Sequence, residues 1–403
     1  VPVPTVVYDL TPLETDSRLR GFGRYVVTLA RAIAAVPRAE RNDLRILGLV
    51  RLTWGGAFAV TEDLASYAGK ADLVREEDAR YLEWAWRRRV ALGTALRRIG
   101  ADLVHLGTPD GTPLSLGGAK KVVTCHDLIE FALPDRYLGW NKLGPIGGPA
   151  ILRRRYRSAD HVIAISDATA GDLRRHLGVE TVTRVWNAVD PEVFRPGGEG
   201  DDDRLARHGL SRGGYLFYVG DVDWRKNLEG MVAGLAHARG RGSSAILALA
   251  GALAPEKIAR VERAAAEAGV RDAVVRLGFV PDEDLPALYR GALGHLFVSR
   301  FEGFGLTVVE AMACGTPVIT TRGGSLGEVA GRAARLVDPE DHAAIGDAIL
   351  SLGDRSVRAD LVRAGIERAR LFTPRAQAEA TLDVYRKVLA LPHSSPTRES
   401  PPD

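Results

Sequence analysis

Two cysteines, Cys125 and Cys314, are all that 403 residues contain. So few exclude a disulfide scaffold and fit a reduced compartment. Cys125 ends an apolar strand pattern and Cys314 stands near a helix end, so both read as small buried hydrophobes. Any apolar run long enough to cross a bilayer is also missing. So is a charged segment leading into an apolar one at the N-terminus, the mark of a secretory signal. The expected location is therefore cytoplasmic, with contact at the inner membrane face limited to a peripheral one. Neither sign of charge dominates: 54 basic residues against 51 acidic ones leave a net charge of +3, too little to point to nucleic acid. What is present, 46% hydrophobic and 26% charged residues, belongs to a soluble globular chain of two or three domains.

Strand-like and helix-like segments alternate along the first half. "TVVYDL" (5–10), "LRILGLV" (44–50), "ADLVHLG" (101–107), "KKVVTCHDL" (120–128) and "DHVIAIS" (160–166) read as strands. "GRYVVTLARAIAAV" (23–36), "ILRRRYRSA" (151–159) and "DATAGDLRRHLG" (167–178, capped by Asp167) read as helices, and "TVTRVWNAVD" (181–190) closes the half. Such alternation predicts a parallel, doubly wound α/β sheet. "RPGGEGDDDRLARHGLSRGG" (195–214) has little apolar content and reads as a linker. After it the alternation resumes through "YLFYVG", "AILALAG", "AVVRLGFV", "GHLFVS", "PVITT" and "AARLVD". A long helix from about 374 and a polar, Pro-rich tail expected to be disordered end the chain. Two such units leave a cleft between their sheet edges, where ligands usually bind.

"SRFEGFGLTVVEAMACGTPV" (299–318) is the most informative stretch. Glu302 falls in a loop after a strand, and Glu310 falls within the first two turns of a helix that stops at Gly315. Gly303 and Gly305 bare backbone N–H groups at that helix's start, an anion site suited to phosphate. A glycosidase has no use for a phosphate cradle between its two carboxylates, whereas carboxylates beside one can hold sugar and ribose hydroxyls.

Other motifs point the same way. In "YVGDVDWRKNLEGMV" (218–232) a strand runs into Gly220, and Arg225 and Lys226 follow at the start of a helix. Such a pair can hold a diphosphate, the arginine bidentately and the lysine as a point charge. Asp221 and Asp223 form a DxD, which holds a divalent metal in some sugar-transferring enzymes. Here the cations beside it supply positive charge, so the two acids read as loop caps and no metal is expected. Gly21 and Gly23 in "RLRGFGRYV" form a glycine loop open to a ligand. No acid follows at the spacing a dinucleotide fold needs, which argues against NAD. His126 in "CHDL" ends a cleft-facing strand, where it either contacts substrate or is a hydrogen-bonded structural residue. Asn187 to Asp190 close the first unit at the hinge. The basic stretches "WAWRRRV" (84–90) and "RRRYR" (153–157) read as solvated helix faces, with a patch for anionic lipid or an anionic acceptor as the alternative.

Together these motifs resemble one family, the retaining glycosyltransferases of family 4 with the GT-B fold, and the look of "GRYVVTLARAI" and "HDLIEF" leans toward its bacterial mannosyltransferase-like members. The resemblance runs through "GFGRY", "HDL", "VIAISDAT", "NAVD", "GDVDWRKNL" and "LGFVPDEDLPALYRGA" to "SRFEGFGLTVVEAMACGTPVITTRGGSLGEVAG". It implies two Rossmann-like domains facing across a cleft: an acceptor domain (1–194), a linker (195–213), a donor domain (214–373), a helix crossing back (374–391) and a tail (392–403). It also implies a nucleotide-sugar donor, GDP-mannose or a UDP-hexose, and a glycan, lipid-linked or small-molecule acceptor, with no cofactor. Arg225 and Lys226 match the pair on the donor diphosphate, and Glu302 the glutamate on the sugar hydroxyls. Gly303, Phe304, Gly305 and Leu306 match the backbone segment around sugar and phosphate. Glu310 matches the glutamate on the ribose, and His126 the histidine near the donor sugar; Gly21, Gly23 and Gly220 complete the expected donor-binding set. The chain departs from the pattern at Trp224, where proline is common. A nucleotide-sugar 2-epimerase or a phosphorylase is the nearest rival and a non-catalytic nucleotide-sugar sensor a more distant one.

Overall fold

A computed structural model describes residues 2–14, 21–52, 58–69, 91–109, 112, 116–137, 148–251 and 254–390. The basic stretch 84–90 and the C-terminal tail lie outside the described residues. Two sheets carry the architecture. The first is built from β1 (Thr5–Asp9), β2 (Arg45–Leu52), β3 (Phe58–Thr61), β4 (Leu103–Leu106), β5 (Lys120–Cys125), β6 (His161–Ala164) and β7 (Val182–Arg184), in the order β3-β2-β1-β4-β5-β6-β7. The second holds β8 (Tyr215–Val219), β9 (Ile246–Ala250), β10 (Val274–Gly278), β11 (Gly294–Phe297), β12 (Val318–Thr320) and β13 (Arg335–Leu336), in the order β10-β9-β8-β11-β12-β13. Every pairing is parallel except β2 with β3. Central strands are apolar on both faces, as helices on both sides of a parallel sheet require: β4 and β11 are buried along their whole length.

In both sheets the strand order reverses once, between β1 and β4 and between β8 and β11. Ligands in open α/β sheets bind outside the carboxyl ends of the strands at such a switch. Arg225 and Lys226 follow β8, and Glu302 follows β11. The topology thus brings to one place residues that stand far apart in sequence.

The structure corrects three readings of the chain. The segment read as a linker is not a plain spacer: it contains the helix Asp201–Arg207. Asp201, 3% exposed, receives Nε and Nη2 of Arg290 at 2.7 and 2.6 Å, and this pairing docks the helix on the second sheet's layer. Gly21 and Gly23 are not in a loop but in the first turn of the helix Gly21–Ala35. The cap of the helix Asp167–Asp172 is Ser166, whose side-chain oxygen accepts from the Thr169 N–H, and not Asp167.

The last helix, Pro374–Ala390, crosses back onto the first sheet's layers. Tyr385 on it meets Nδ1 of His105 at 2.7 Å, and Nε2 of His105 meets the Thr124 hydroxyl at 2.8 Å. Tyr25 reaches the same hydroxyl at 2.8 Å. Lys120 donates to the Val388 carbonyl at 2.8 Å. At the crossing, Val189 N–H donates to the Phe372 carbonyl and the Trp186 and Phe372 rings lie 5.0 Å apart. From the second half, the Glu328 carboxylate accepts from Trp186 Nε1 at 2.7 Å and from the backbone N–H groups of Asp167 and Ala168 at 2.9 and 3.1 Å. An acid at that helix N-terminus is favoured by the exposed N–H groups.

Burial pushes the imidazoles of His105 and His295 down to about 3. An unfolded histidine takes its proton near pH 6.5. Between about 6.5 and 3, then, the unfolded chain binds more protons, and stability falls as pH drops through that window. The His105→Gln variant should lose up to about 1.4 kcal/mol per pH unit of this dependence. Urea unfolding of both proteins between pH 7.5 and 5 checks it, and equal slopes would contradict the neutral, buried state of His105.

Candidate functional site

The site is assembled from three loop-to-helix junctions. After β8, residues Trp224–Lys226 form a single 3-10 turn capped by Asp223, whose carboxylate accepts from the Arg225 N–H at 3.1 Å. The turn ends at Asn227, in the left-handed region at φ 57°. This backbone is held because the Asn227 side-chain amide donates to the Val298 and Pro339 carbonyls at 3.3 and 2.7 Å. It presents two adjacent cations to the same place: Arg225 Nη1 stands 2.7 Å from Glu302 Oε2, and Lys226 Nζ stands 2.8 Å from Glu302 Oε1. Burial pushes the Glu302 carboxyl up, but Lys226 and Arg225 outweigh it and hold it below the usual carboxylate range.

After β11, the 302–306 loop is fixed by Ser325. Its N–H donates to the Glu302 carbonyl at 3.0 Å, and its hydroxyl, with one hydrogen shared between them, lies 3.1 and 2.9 Å from the Glu302 and Phe304 carbonyls. Gly305, at φ +95°, is the N-cap of the helix Leu306–Ala313. Phe304 is buried with its ring 5.7 Å from that of Phe372, so toward the cleft this residue offers backbone only. Gly303 owes its identity to the other half of the molecule: a Cβ there would sit 2.1 Å from the His126 carbonyl oxygen and 2.8 Å from Asp127 Cβ. Thr169 also reaches the Gly303 carbonyl, at 3.4 Å.

The third junction follows β5. Nε2 of His126 lies 2.9 Å from the Gly107 carbonyl, which only accepts, so Nε2 carries the hydrogen and Nδ1 is left as an acceptor. Phe22 and Tyr25 pack edge-on against the ring at 5.0 and 4.7 Å. Burial pushes the imidazole down to about 4, leaving it neutral at physiological pH. Asp127 lies beside the cations of the second half. Burial raises its carboxyl, the N–H of Ile129 and the charges of Arg225 and Lys226 oppose that rise, and Glu302 adds to it.

Glu310 is 1% exposed, and both its oxygens are engaged. Arg24, from the first helix, stands 2.5 Å from Oε1, and the Tyr289 hydroxyl donates to Oε2 at 2.9 Å. The structure therefore brings Arg225, Lys226, Glu302, Gly303 and His126 together. Glu310 lies one helical turn further on, and Gly220, at the end of β8, precedes the cation loop. Gly21 is exposed and Gly23 buried at the start of the helix that carries Arg24. Arg24, Asp127 and Ser325 are absent from the sequence reading. Arg24 and Asp127 stand inside the motifs "GFGRY" and "CHDL" and carry charges suited to the opposite half, which is the only signal the chain gives.

Of the basic stretch 153–157, Arg153 and Arg157 donate to the carbonyls of His176 and Leu177 at 2.9 and 2.6 Å, and Tyr156 is buried. Among the described residues no helix is long and apolar enough to cross a membrane. Both cysteines are buried, and burial raises their thiols, Cys314 to about 12.

Residues 19–193 match the family described as Glycosyltransferase Family 4, and residues 206–370 match Glycosyl transferases group 1. The chain is 27% identical to O-antigen chain mannosyltransferase B of Escherichia coli, over 94% of this chain and 99% of that one. It is 33% identical to the D-inositol 3-phosphate glycosyltransferase of Acidothermus cellulolyticus, over 58% of this chain and 54% of the relative. In fold it is similar to sucrose-phosphate synthase from Thermosynechococcus elongatus (TM-score 0.74, 21% identity, 96% and 99% of the chains). It is similar also to HepE of Anabaena in complex with UDP-glucose (TM-score 0.70, 15% identity, 95% and 99% of the chains).

Adding a methyl group at the contact between the halves should separate them. Gly303→Ala is expected to lower turnover by up to about 100-fold, because small displacements of reacting groups cost that much. The melting temperature should move far less, since the contact lies between the halves and outside either core. Turnover within twofold of wild type would show that this approach does not matter to the site.

Proposed function

Because the chain belongs to glycosyltransferase family 4 and has the GT-B fold, we propose that it moves a hexose, with retention of configuration, from a nucleoside diphosphate sugar to an acceptor hydroxyl. Membership makes the protein a glycosyltransferase; the donor, the stereochemistry and the lack of a metal requirement form the proposal. One observation carries it: Arg225 and Lys226 converge on a single carboxylate beside the N-terminus of the helix Leu306–Ala313. Arg225, which also has Asp221, Asp127 and Asp223 in its field, and Lys226 bring cationic charge to a place where backbone N–H groups already favour an anion. A diphosphate fits that charge, with the arginine able to bind it bidentately.

On this reading the donor diphosphate lies against Arg225, Lys226 and the Gly303–Leu306 backbone. Glu302 takes sugar hydroxyls and Glu310 takes the ribose. Glu310 can do so while held by Arg24 and Tyr289, because a carboxylate has about four lone-pair sites. As the glycosidic bond breaks, negative charge grows on the diphosphate, and the two cations stabilise it. The acceptor hydroxyl attacks from the same face and gives its proton to a donor phosphate oxygen. His126, neutral with Nδ1 as acceptor, receives a hydrogen bond from a sugar hydroxyl. Asp223 already accepts from the Arg225 N–H and from Tyr137, which supports reading it as a structural acid rather than a metal ligand. The name of the relative matched over almost its whole length, an O-antigen chain mannosyltransferase, supports a mannosyl donor, GDP-mannose on this reading rather than a UDP-hexose, while the acceptor is read as a glycan, lipid-linked or small-molecule one.

Incubation with a panel of nucleotide sugars, reading the released nucleoside diphosphate by mass, tests the donor. Arg225→Ala and Lys226→Ala should each weaken the donor complex by roughly 1.5–3 kcal/mol and lower kcat as well. Wild-type turnover in both would remove the diphosphate assignment. Glu302→Gln should lower kcat and leave nucleoside diphosphate affinity largely intact, whereas Glu310→Gln should weaken nucleoside diphosphate binding in calorimetry. Activity should survive EDTA, and a loss restored by Mg²⁺ or Mn²⁺ would refute the metal-independent part.

A further inference from the structure

The sequence motif "DVDW" is only partly used by the proposed reaction, yet its loop is gripped by several side chains. Asp223 and Trp224 are held from both halves. From the first half comes the short helix Pro134–Tyr137, which follows the β5 segment carrying His126 and Asp127. The Tyr137 hydroxyl donates to Asp223 Oδ1, and the Arg136 guanidinium carbon lies 4.6 Å from the centroid of the Trp224 ring. From the second half comes Arg300, after β11. Its guanidinium carbon also lies 4.6 Å from the Trp224 centroid, its Nη1 donates to the Trp224 carbonyl at 2.7 Å, and its N–H donates to the Arg225 carbonyl at 2.7 Å.

We propose that Arg136 and Tyr137 are positioning residues that reach across the cleft and, through Trp224 and Asp223, fix where Arg225 and Lys226 stand. The same Asp223 oxygen that receives the Tyr137 hydroxyl caps the turn presenting the two cations, accepting the Arg225 N–H at 3.1 Å and lying 3.7 Å from Arg225 Nε. A pull on Asp223 is therefore a pull on the cation pair. Trp224 supplies the face: an indole is the best aromatic partner for a guanidinium, and it immediately precedes Arg225. Glu340, 2.6 Å from Arg300 Nε, holds the second guanidinium in place. The segment that delivers His126 to the donor sugar thus also sets the cations on the donor diphosphate, so both ends of the reacting bond are registered by one piece of chain. This inference rests on the donor-diphosphate reading of Arg225 and Lys226.

The test is a double-mutant cycle on Arg136→Ala and Trp224→Ala, with kcat and donor KM read from released nucleoside diphosphate. Each single variant should lower kcat by about 3- to 30-fold, the range a cation–π contact spans, with a smaller change in KM. The double variant should be no worse than Trp224→Ala, because that change already removes the Arg136 contact along with that of Arg300. Arg136→Lys should recover part of the loss, and Tyr137→Phe should lower kcat without unfolding the protein. Losses that multiply in the double variant, or single variants with wild-type kcat, would overturn the positioning role. A second readout does not depend on turnover. The emission of Trp224, taken as each protein minus its Trp224→Phe counterpart, should become more open to acrylamide quenching when Arg136 is replaced by Ala. Unchanged quenching would overturn the contact itself. If the wild-type protein released no nucleoside diphosphate from any nucleotide sugar, the donor reading would fall, and the quenching arm would still decide the clasp.

Discussion

The carboxylate of Glu302, caught between Arg225 and Lys226, is the constraint on which the site depends. Glu302 is 8% exposed, and a charge so buried is tolerated only when it is paired. The pairing works in both directions. The two cations keep the carboxylate ionised against the push of burial, and the carboxylate keeps two like charges side by side at a helix N-terminus that would itself repel them. Everything near it serves to hold these three groups in place: Asp223 and Asn227 shape the turn that carries the cations, and Ser325 pins the loop that carries the glutamate.

The same constraint reaches across the cleft. Gly303, next to Glu302, leaves no room for a side chain because the His126 carbonyl lies there. Asp127 places a further acid in the field of the cation pair. One helical turn on, Arg24 from the first helix neutralises Glu310 in a setting where an unpaired carboxylate would be costly. The halves meet through charges, backbone and the rings of Trp186, Phe372 and Phe304, with Glu328 accepting the first N–H groups of a helix of the first half and the last helix returning through Tyr385 and Lys120.

Periodicity in the sequence carried most of the fold. All eleven strand patterns read from it correspond to strands, because buried parallel strands need near-continuous apolar runs and these are visible as such; β7, three half-buried residues inside "TVTRVWNAVD", carries no such run. β3 escaped, being a short edge strand whose pattern of exposure gives no apolar run. The helix at 201–207 escaped because its acidic and basic residues look like a linker, and Arg290, far off in sequence, supplies the hydrogen bonds that make Asp201 worth burying. Gly21 and Gly23 read as a loop because glycine marks turns in sequence, whereas in the fold they open a helix.

The site divides along the same line. Chain order alone determined that Arg225, Lys226, Glu302 and Glu310 follow strands or start helices at a carboxyl edge, since local patterns fix where a strand ends and a helix begins. The placement of His126 beside Gly303, the pairing of Arg24 with Glu310, the seat of Asp127 near the cations and the grip of Arg136 and Tyr137 on the Trp224 loop were decided only by the tertiary structure. Each joins residues more than 80 positions apart, and a contact between two sheet edges leaves no periodic trace in either segment that makes it.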